Sequence, residues 1–163
     1  MSVKEILLEQ FAACYDEDHW FVALRNAIRN LTAEQAAWKP DGADNSIWEI
    51  VSHLNFYNFA YLERFKGVDY VYPVDDNAET FSGGVTDEAW AAEIARFDAI
   101  MSEFRDLIES ADEAKFEQTV SATRTDIWAE LISHINVHNA HHGGQIVLMR
   151  KLQGCWDASK GVS

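Results

Sequence analysis

Residues that break helices are scarce in this sequence. Its 163 residues include two prolines and eight glycines, too few for a many-turned all-β fold. Cysteine is just as sparse. Cys14 and Cys155 are the only two, and they lie far apart with no CxxC pair. That pattern points away from a disulfide framework and predicts reduced thiols in a cytoplasmic protein. No stretch approaches the roughly 18 apolar residues that a membrane span needs. The opening residues Met1 to Gln10 carry two glutamates among their apolar side chains, which predicts an amphipathic helix rather than a signal peptide. Cations are few as well, with 13 Lys and Arg against 27 Asp and Glu for a net charge of −14. Such a surface repels phosphate backbones and anionic lipid, so neither nucleic acid nor a membrane is expected as a partner.

What the chain does have is apolar content, 48% against 25% charged, in the range of an ordinary globular protein. Size scaling lets a single domain over residues 1–163 bury about 70% of its unfolded surface. Four segments carry helical periodicity. The first is predicted from about Val3 to about Leu31, with Ile6, Gln10, Ala13, Glu17, Trp20, Leu24 and Ile28 near one face. Thr32 to Gln35 has capping-box spacing for one short helical turn before Pro40, and Ser46 with Glu49 repeats that spacing at the start of a second segment reaching about Phe65. The stretch from Val68 to Val85, with Tyr70 and Tyr72, reads as a long ordered connection. Thr86 opens a third segment through Ile108. After a polar interruption, with a short extended piece expected at Phe116 to Val120, the fourth runs from about Thr125 to Leu152 and stops at Gly154. Four long helices in one domain predict an all-α four-helix bundle with a long connection between its second and third helices.

The second and fourth segments share a short internal repeat. Ser52-His53-Leu54-Asn55-Phe56-Tyr57-Asn58 matches Ser133-His134-Ile135-Asn136-Val137-His138-Asn139, each preceded by an Ile-Trp pair. Two helices built alike suggest a pseudo-symmetric pairing across one core.

The histidines are the strongest signal. His134, His138, His141 and His142 fall within nine residues. With His134 at zero, a helical wheel puts His141 near about −20°, His138 near about +40° and His142 near about +80°. Leu131, Met149 and Leu152 fall in the same arc. An apolar core does not accept unpartnered imidazoles, because each buried unpaired polar group costs about 1–3 kcal/mol. A bound cation resolves the conflict, since neutral imidazole is a good ligand for Zn, Ni and Fe. His138 and His142 lie one turn apart on one face and can reach a single ion. His53, on the matching helix, is the natural third ligand; taken alone it also reads as a hydrogen-bonded core histidine. His134 and His141 read as cavity-lining groups, and His19 as a surface or packing residue that could approach the cavity.

The run His134-Ile-Asn-Val-His138-Asn-Ala-His141-His142-Gly143-Gly144-Gln145 resembles the HxxxHxxHHRGQ signature of the DinB/YfiT-like superfamily. Ser46-Ile-Trp-Glu-Ile-Val-Ser-His53-Leu54 and Leu31 to Pro40 resemble its other hallmarks. The resemblance implies a DinB/YfiT-like four-helix bundle that holds a divalent metal through His53, His138 and His142. It also implies a homodimer. Gly143 departs from the pattern, which usually has Arg there, and so removes a cation expected beside the site.

Three protein ligands leave a coordination position open, the mark of a catalytic metal site. Three neutral imidazoles leave the ion's charge uncompensated, which lowers the pKa of a bound water. The expected function is a metal-dependent hydrolase acting on a small-molecule substrate. The alternatives are a metal-dependent thiol S-transferase using a low-molecular-weight thiol in detoxification, and a non-catalytic metal or small-molecule binding module. No general base is evident. Tyr57 is either a cavity hydrogen-bond donor or a packed aromatic. Gln145 either orients a ligand histidine or makes an interhelical hydrogen bond. Tyr70 and Tyr72 either form a lid or simply pack.

Overall fold

A computed structural model describes residues 1–160. Its four long helices are α1 (Val3–Tyr15), α4 (Ile47–Phe65), α5 (Asp87–Ser110) and α6 (Trp128–Leu152), joined by the short α2 (Leu24–Ile28) and α3 (Ala33–Ala37). Among the described residues no β-strand forms; one antiparallel bridge joins Thr119 to Ile127. The long helices close a ring in which α4 packs against α5 and α6, and α1 packs against the same two. Phe11, Leu54, Leu62, Phe97, Phe104 and Trp128 fill its centre. No described helix is long and apolar enough to cross a membrane.

Local chemistry accounts for most boundaries. The side chains of Thr32 and Ser46 accept from the amides of Gln35 and Glu49, whose own side chains accept from the amides of Thr32 and Ser46. These reciprocal bonds start α3 and α4 where the sequence places them. Thr86 caps α5 with its hydroxyl alone, which accepts from the Ala89 amide. Ile127 has no acceptor to offer α6, so Glu130 alone reaches back to the Ile127 amide at 3.1 Å. Gly154, at φ +71°, takes the left-handed conformation that ends α6. Of the extended piece expected at Phe116 to Val120, Phe116 and Glu117 belong instead to a 3-10 turn over Glu113–Glu117, while Gln118 is extended and Thr119 forms the bridge to Ile127.

The first segment departs from the prediction of one helix to Leu31. Helix α1 ends at Tyr15, and the chain turns before α2 begins. Asp16, Glu17 and Asp18 fall at the negative end of the α1 dipole, where carboxylates are unfavourable. Asp18 then captures the Ala23 amide at 2.9 Å and the Asn26 side-chain amide at 3.0 Å, giving the chain a competing route out of the helix. The buried face of α1 is Leu7, Phe11, Cys14 and Tyr15, whereas Ile6 and Trp20 are exposed.

The internal repeat has a structural counterpart. Asn58 and Asn139, at matched positions, exchange side-chain hydrogen bonds of 3.0 and 3.2 Å across the buried α4–α6 seam. Asn55 and Asn136, also matched, reach outward to backbone carbonyls of Glu93 and Leu7 on the flanking helices. The two helices are therefore paired about a local pseudo-two-fold axis.

Candidate metal centre

The middle of α4 presents His53, and two successive turns of α6 present His138 and His142. Together they form a buried and half-buried group that could hold a metal ion, with its three ligand atoms all within 4.8 Å of one another. His138 Nε2 lies 3.1 Å from His53 Nε2 and 3.2 Å from His142 Nε2. Nitrogens about 2.1 Å from a common ion, at the angles of octahedral or tetrahedral coordination, are about 3.0–3.4 Å apart. The spacing fits.

Hydrogen bonds on the far side of the rings assign their tautomers. The Thr80 hydroxyl donates to the Asn77 carbonyl at 2.6 Å, so it accepts from His53 Nδ1–H at 2.7 Å. The Gln145 side-chain amide donates toward His141 Nε2 at 3.3 Å, which turns its oxygen to accept from His142 Nδ1–H at 2.7 Å. With their protons on Nδ1, His53 and His142 both aim an Nε2 lone pair at His138. His138 can carry at most one proton on its Nε2 and can donate it to only one of them. At least one buried lone pair is thus left without a donor, an arrangement that a cation resolves and a proton does not. Burial, followed by the neighbouring imidazoles, pushes His53 down to about 3 and His138 down to about 4. Burial also lowers His142, with Gln145 opposing the shift. All three rings are neutral near pH 7, the form that binds metal.

The histidines open onto a cleft of about 490 Å³ whose walls include Tyr57, Tyr61, Phe81, Leu131 and Ile135. Among the described residues, no carboxylate, lysine or arginine lines it. His134 and His141 lie on its exposed side, in the cleft but outside the cluster of three. Tyr57 packs edge-on against His53, with ring centroids 4.9 Å apart, and its hydroxyl donates to Asn77 Oδ1 at 2.9 Å. Gln145 bonds within α6, to His141 and His142, rather than across to another helix.

The structure decides between several of the alternatives and corrects others. His19 is exposed beyond the end of α1 and does not line the cleft. Tyr70 and Tyr72 do not line it either: Tyr72 stacks on Phe56 and receives a hydrogen bond from Arg64 at 3.0 Å, and Tyr70 packs on Phe59. The same loop covers the site further along the chain, where Phe81 stacks on the His53 ring at 4.0 Å and 12°. Thr80, Asn77 and Phe81 were not legible as site residues. The available signal was Asp76 and Glu79, a capping-box pair that sets a helical turn over Asn77–Thr80. Leu152, placed in the inward arc by the wheel, is exposed. A Cβ on Gly143 would point at Leu24, 3.6 Å from its nearest methyl, so the missing arginine's position faces α2 rather than the histidines. Both cysteines are free, and burial pushes the Cys14 thiol up to about 11.

A family model described as the DinB superfamily matches residues 17–146, a span that contains all three clustered histidines. No curated protein and no solved structure matches the chain.

Proposed function

The chain belongs to the DinB superfamily, and from that premise we propose that it is a divalent-metal-dependent hydrolase of a small-molecule substrate, with His53, His138 and His142 as the ligands. The observation that carries this reading is the pair of locked tautomers, which aims two lone pairs at a third imidazole with one proton at most to share among them. Zn, Ni and Fe all suit three imidazoles. A divalent ion so held keeps its charge uncompensated and supplies Lewis acidity, which lowers the pKa of a water or thiol that it binds.

The protein's own groups then have distinct tasks. Thr80 and Gln145 hold the Nδ1 protons of His53 and His142 and fix both ring planes, as outer hydrogen-bond partners of metal ligands do. Phe81 and Tyr57 wall His53 off from solvent. The aromatic and aliphatic cleft accepts an uncharged or aromatic group of the substrate. His134 and His141 line the exposed side of the cleft, beside the position a substrate would take.

Thiol S-transfer is the second reading, favoured by the lack of any carboxylate among the cleft-lining residues. Deprotonating a thiol of pKa about 8.5 needs less help from a base than deprotonating water. A panel of ester, amide and thiol-conjugation substrates, offered to metal-loaded protein, separates these readings. Metal-dependent ester or amide turnover that is lost in His138→Ala and His142→Ala supports the hydrolase. Turnover only with a thiol present moves the assignment to the transferase. Ligand binding without turnover leaves a non-catalytic binding module.

A further inference from the structure

Tyr61, a wall of the metal cleft, meets the Tyr72 hydroxyl, and Tyr72 faces a second cleft of about 630 Å³. One side of this second cleft is the stretch 69–72 that follows α4, and the other is the turn 120–124 that leads to α6. Arg64, near the end of α4, and Arg124, in the turn, both line it. The Arg64 guanidinium carbon lies 4.5 Å from the centre of the Tyr72 ring and 5.5 Å from that of Tyr61. Its Nε–H and one Nη2–H donate to the Tyr70 carbonyl at 3.2 and 2.9 Å, and one Nη1–H donates to the Tyr72 hydroxyl at 3.0 Å. All of these partners are neutral. Among the described residues they leave two of the five guanidinium N–H groups unused. Arg64 is thus a cation held in a fixed plane with donors to spare.

Charge selects the ligand. Arg25, Arg105, Lys39 and Lys66 each pair with a carboxylate, as expected where 27 acids accompany 13 bases. Arg64 has only neutral partners instead. Arg124 is clamped on Asp126 through Nε and Nη2 at 2.6 to 3.1 Å. That leaves its Nη1 for another acceptor, on a side chain 44% exposed. The Ser121 and Thr123 hydroxyls belong to the same lining, and its one described carboxylate, Asp69, is exposed. Planar guanidinium donors match the oxygens of a carboxylate or phosphate. The metal cleft, in contrast, has no charged side chain among its described walls, so an anionic part of a bound molecule finds its protein partners in the second cleft. Tyr57 connects the two, with its ring 6.0 Å from that of His138 and 5.6 Å from that of Tyr72. By this path Arg64 lies within about 16 Å of the His138 ring, the length of about five extended residues. One small molecule can reach both.

We propose that Arg64 and Arg124 form an anion subsite, which receives a carboxylate or phosphate of the small molecule whose uncharged part lies in the metal cleft. The identity of that molecule as a substrate rests on the hydrolase reading, but the subsite needs no metal. Titration of the metal-free full chain with inorganic phosphate and with phenylhexanoate, followed by NMR, tests it. Either or both anions move the Nε–H signals of Arg64 and Arg124 saturably, with a dissociation constant of about 1 mM, roughly what two hydrogen bonds to a charged group supply. Response to phosphate alone or to the carboxylate alone names the group that is bound. Phenylhexanoate, or phenylhexyl phosphate if only phosphate binds, also moves the methyl signals of Leu131 and Ile135 in the metal cleft. Arg64→Gln and Arg124→Gln each weaken binding by about tenfold or more at unchanged helical content. If Arg64→Gln fails to fold, Arg124→Gln, in an exposed turn, carries the test. Lys151→Gln, which lines a different groove, leaves binding as it is. Metal content measured on the same variants stays at the wild-type level, so failure of the subsite and failure of the metal site are read separately. No saturable shift with either anion, equal binding in Arg124→Gln, or an arginine response to the phenyl-bearing anion without one from Leu131 and Ile135 overturns the proposal.

Discussion

Replacing Thr80 by Val removes one oxygen from the site while keeping the side chain's branched shape. Thr80 and His53 are buried, at 3% and 4% exposure, and the lost acceptor leaves His53 Nδ1–H without a partner in a dry environment. In metal-loaded protein the ring cannot escape, because Nε2 must keep its lone pair for the ion. The cost is that of an unsatisfied buried donor, about 1–3 kcal/mol, which corresponds to a roughly 5- to 150-fold loss of metal affinity. In metal-free protein the ring can move its proton to Nε2 and donate to His138, so stability falls by less than affinity does. Chelator competition gives the first quantity, and denaturant unfolding in EDTA gives the second. Thr80→Ser restores the hydroxyl and recovers most of the affinity. Unchanged affinity in Thr80→Val, or an equal loss in Thr80→Ser, refutes the tautomer reasoning.

Further outcomes follow from other parts of the structure. Asn139→Leu leaves the Asn58 amide buried and unpaired and lowers stability by about 1–3 kcal/mol, whereas Asn58→Leu combined with Asn139→Leu costs clearly less than the two single changes summed; strict additivity in unfolding titrations contradicts the pairing. Gly84→Ala sets a methyl against the buried Trp48 ring and lowers stability by about 1–3 kcal/mol, read as a fall in Tm. Acid destabilises the metal-free protein. His53 and His138 stay neutral in the fold down to about 3 and 4 against an ordinary 6.5, so below pH 6.5 the unfolded chain binds more protons and stability falls as pH drops through this window. Each contributes a slope of up to about 1.4 kcal/mol per pH unit. Stability independent of pH between 7 and 5, measured by urea unfolding in EDTA, rules this out.

The bundle was legible because its signals are local. Ser46 with Glu49, Thr32 with Gln35, and Thr86 each state a helix start in four residues, and Gly154 states a stop. The His138 and His142 pair was legible because i,i+4 spacing on α6 brings both rings to one face by helix geometry alone. The repeat was informative about the seam but not about the ligands. His134 is the residue matched to His53, yet His138, matched to Tyr57, is the one that meets it. The break after α1 was hidden because apolar spacing continues through Trp20 while the deciding event is one side-chain bond, Asp18 to the Ala23 amide. The covering of His53 by Thr80 and Phe81 was hidden for a related reason. A loop's path depends on tertiary contacts, and the aromatic density at Tyr70 and Tyr72 drew attention to the wrong part of it.

An ion shared by α4 and α6 is the feature on which the proposed hydrolase depends most. Elemental analysis of protein purified without an affinity tag, compared with His53→Ala, His138→Ala and His142→Ala, tests it most directly. The prediction is about one Zn, Ni or Fe per chain in the wild type and a marked loss in each of the three variants, with His134→Ala retaining the metal. Wild-type protein that stays free of metal after incubation with all three ions, or full metal retention in each of the three variants, contradicts a shared-ion site.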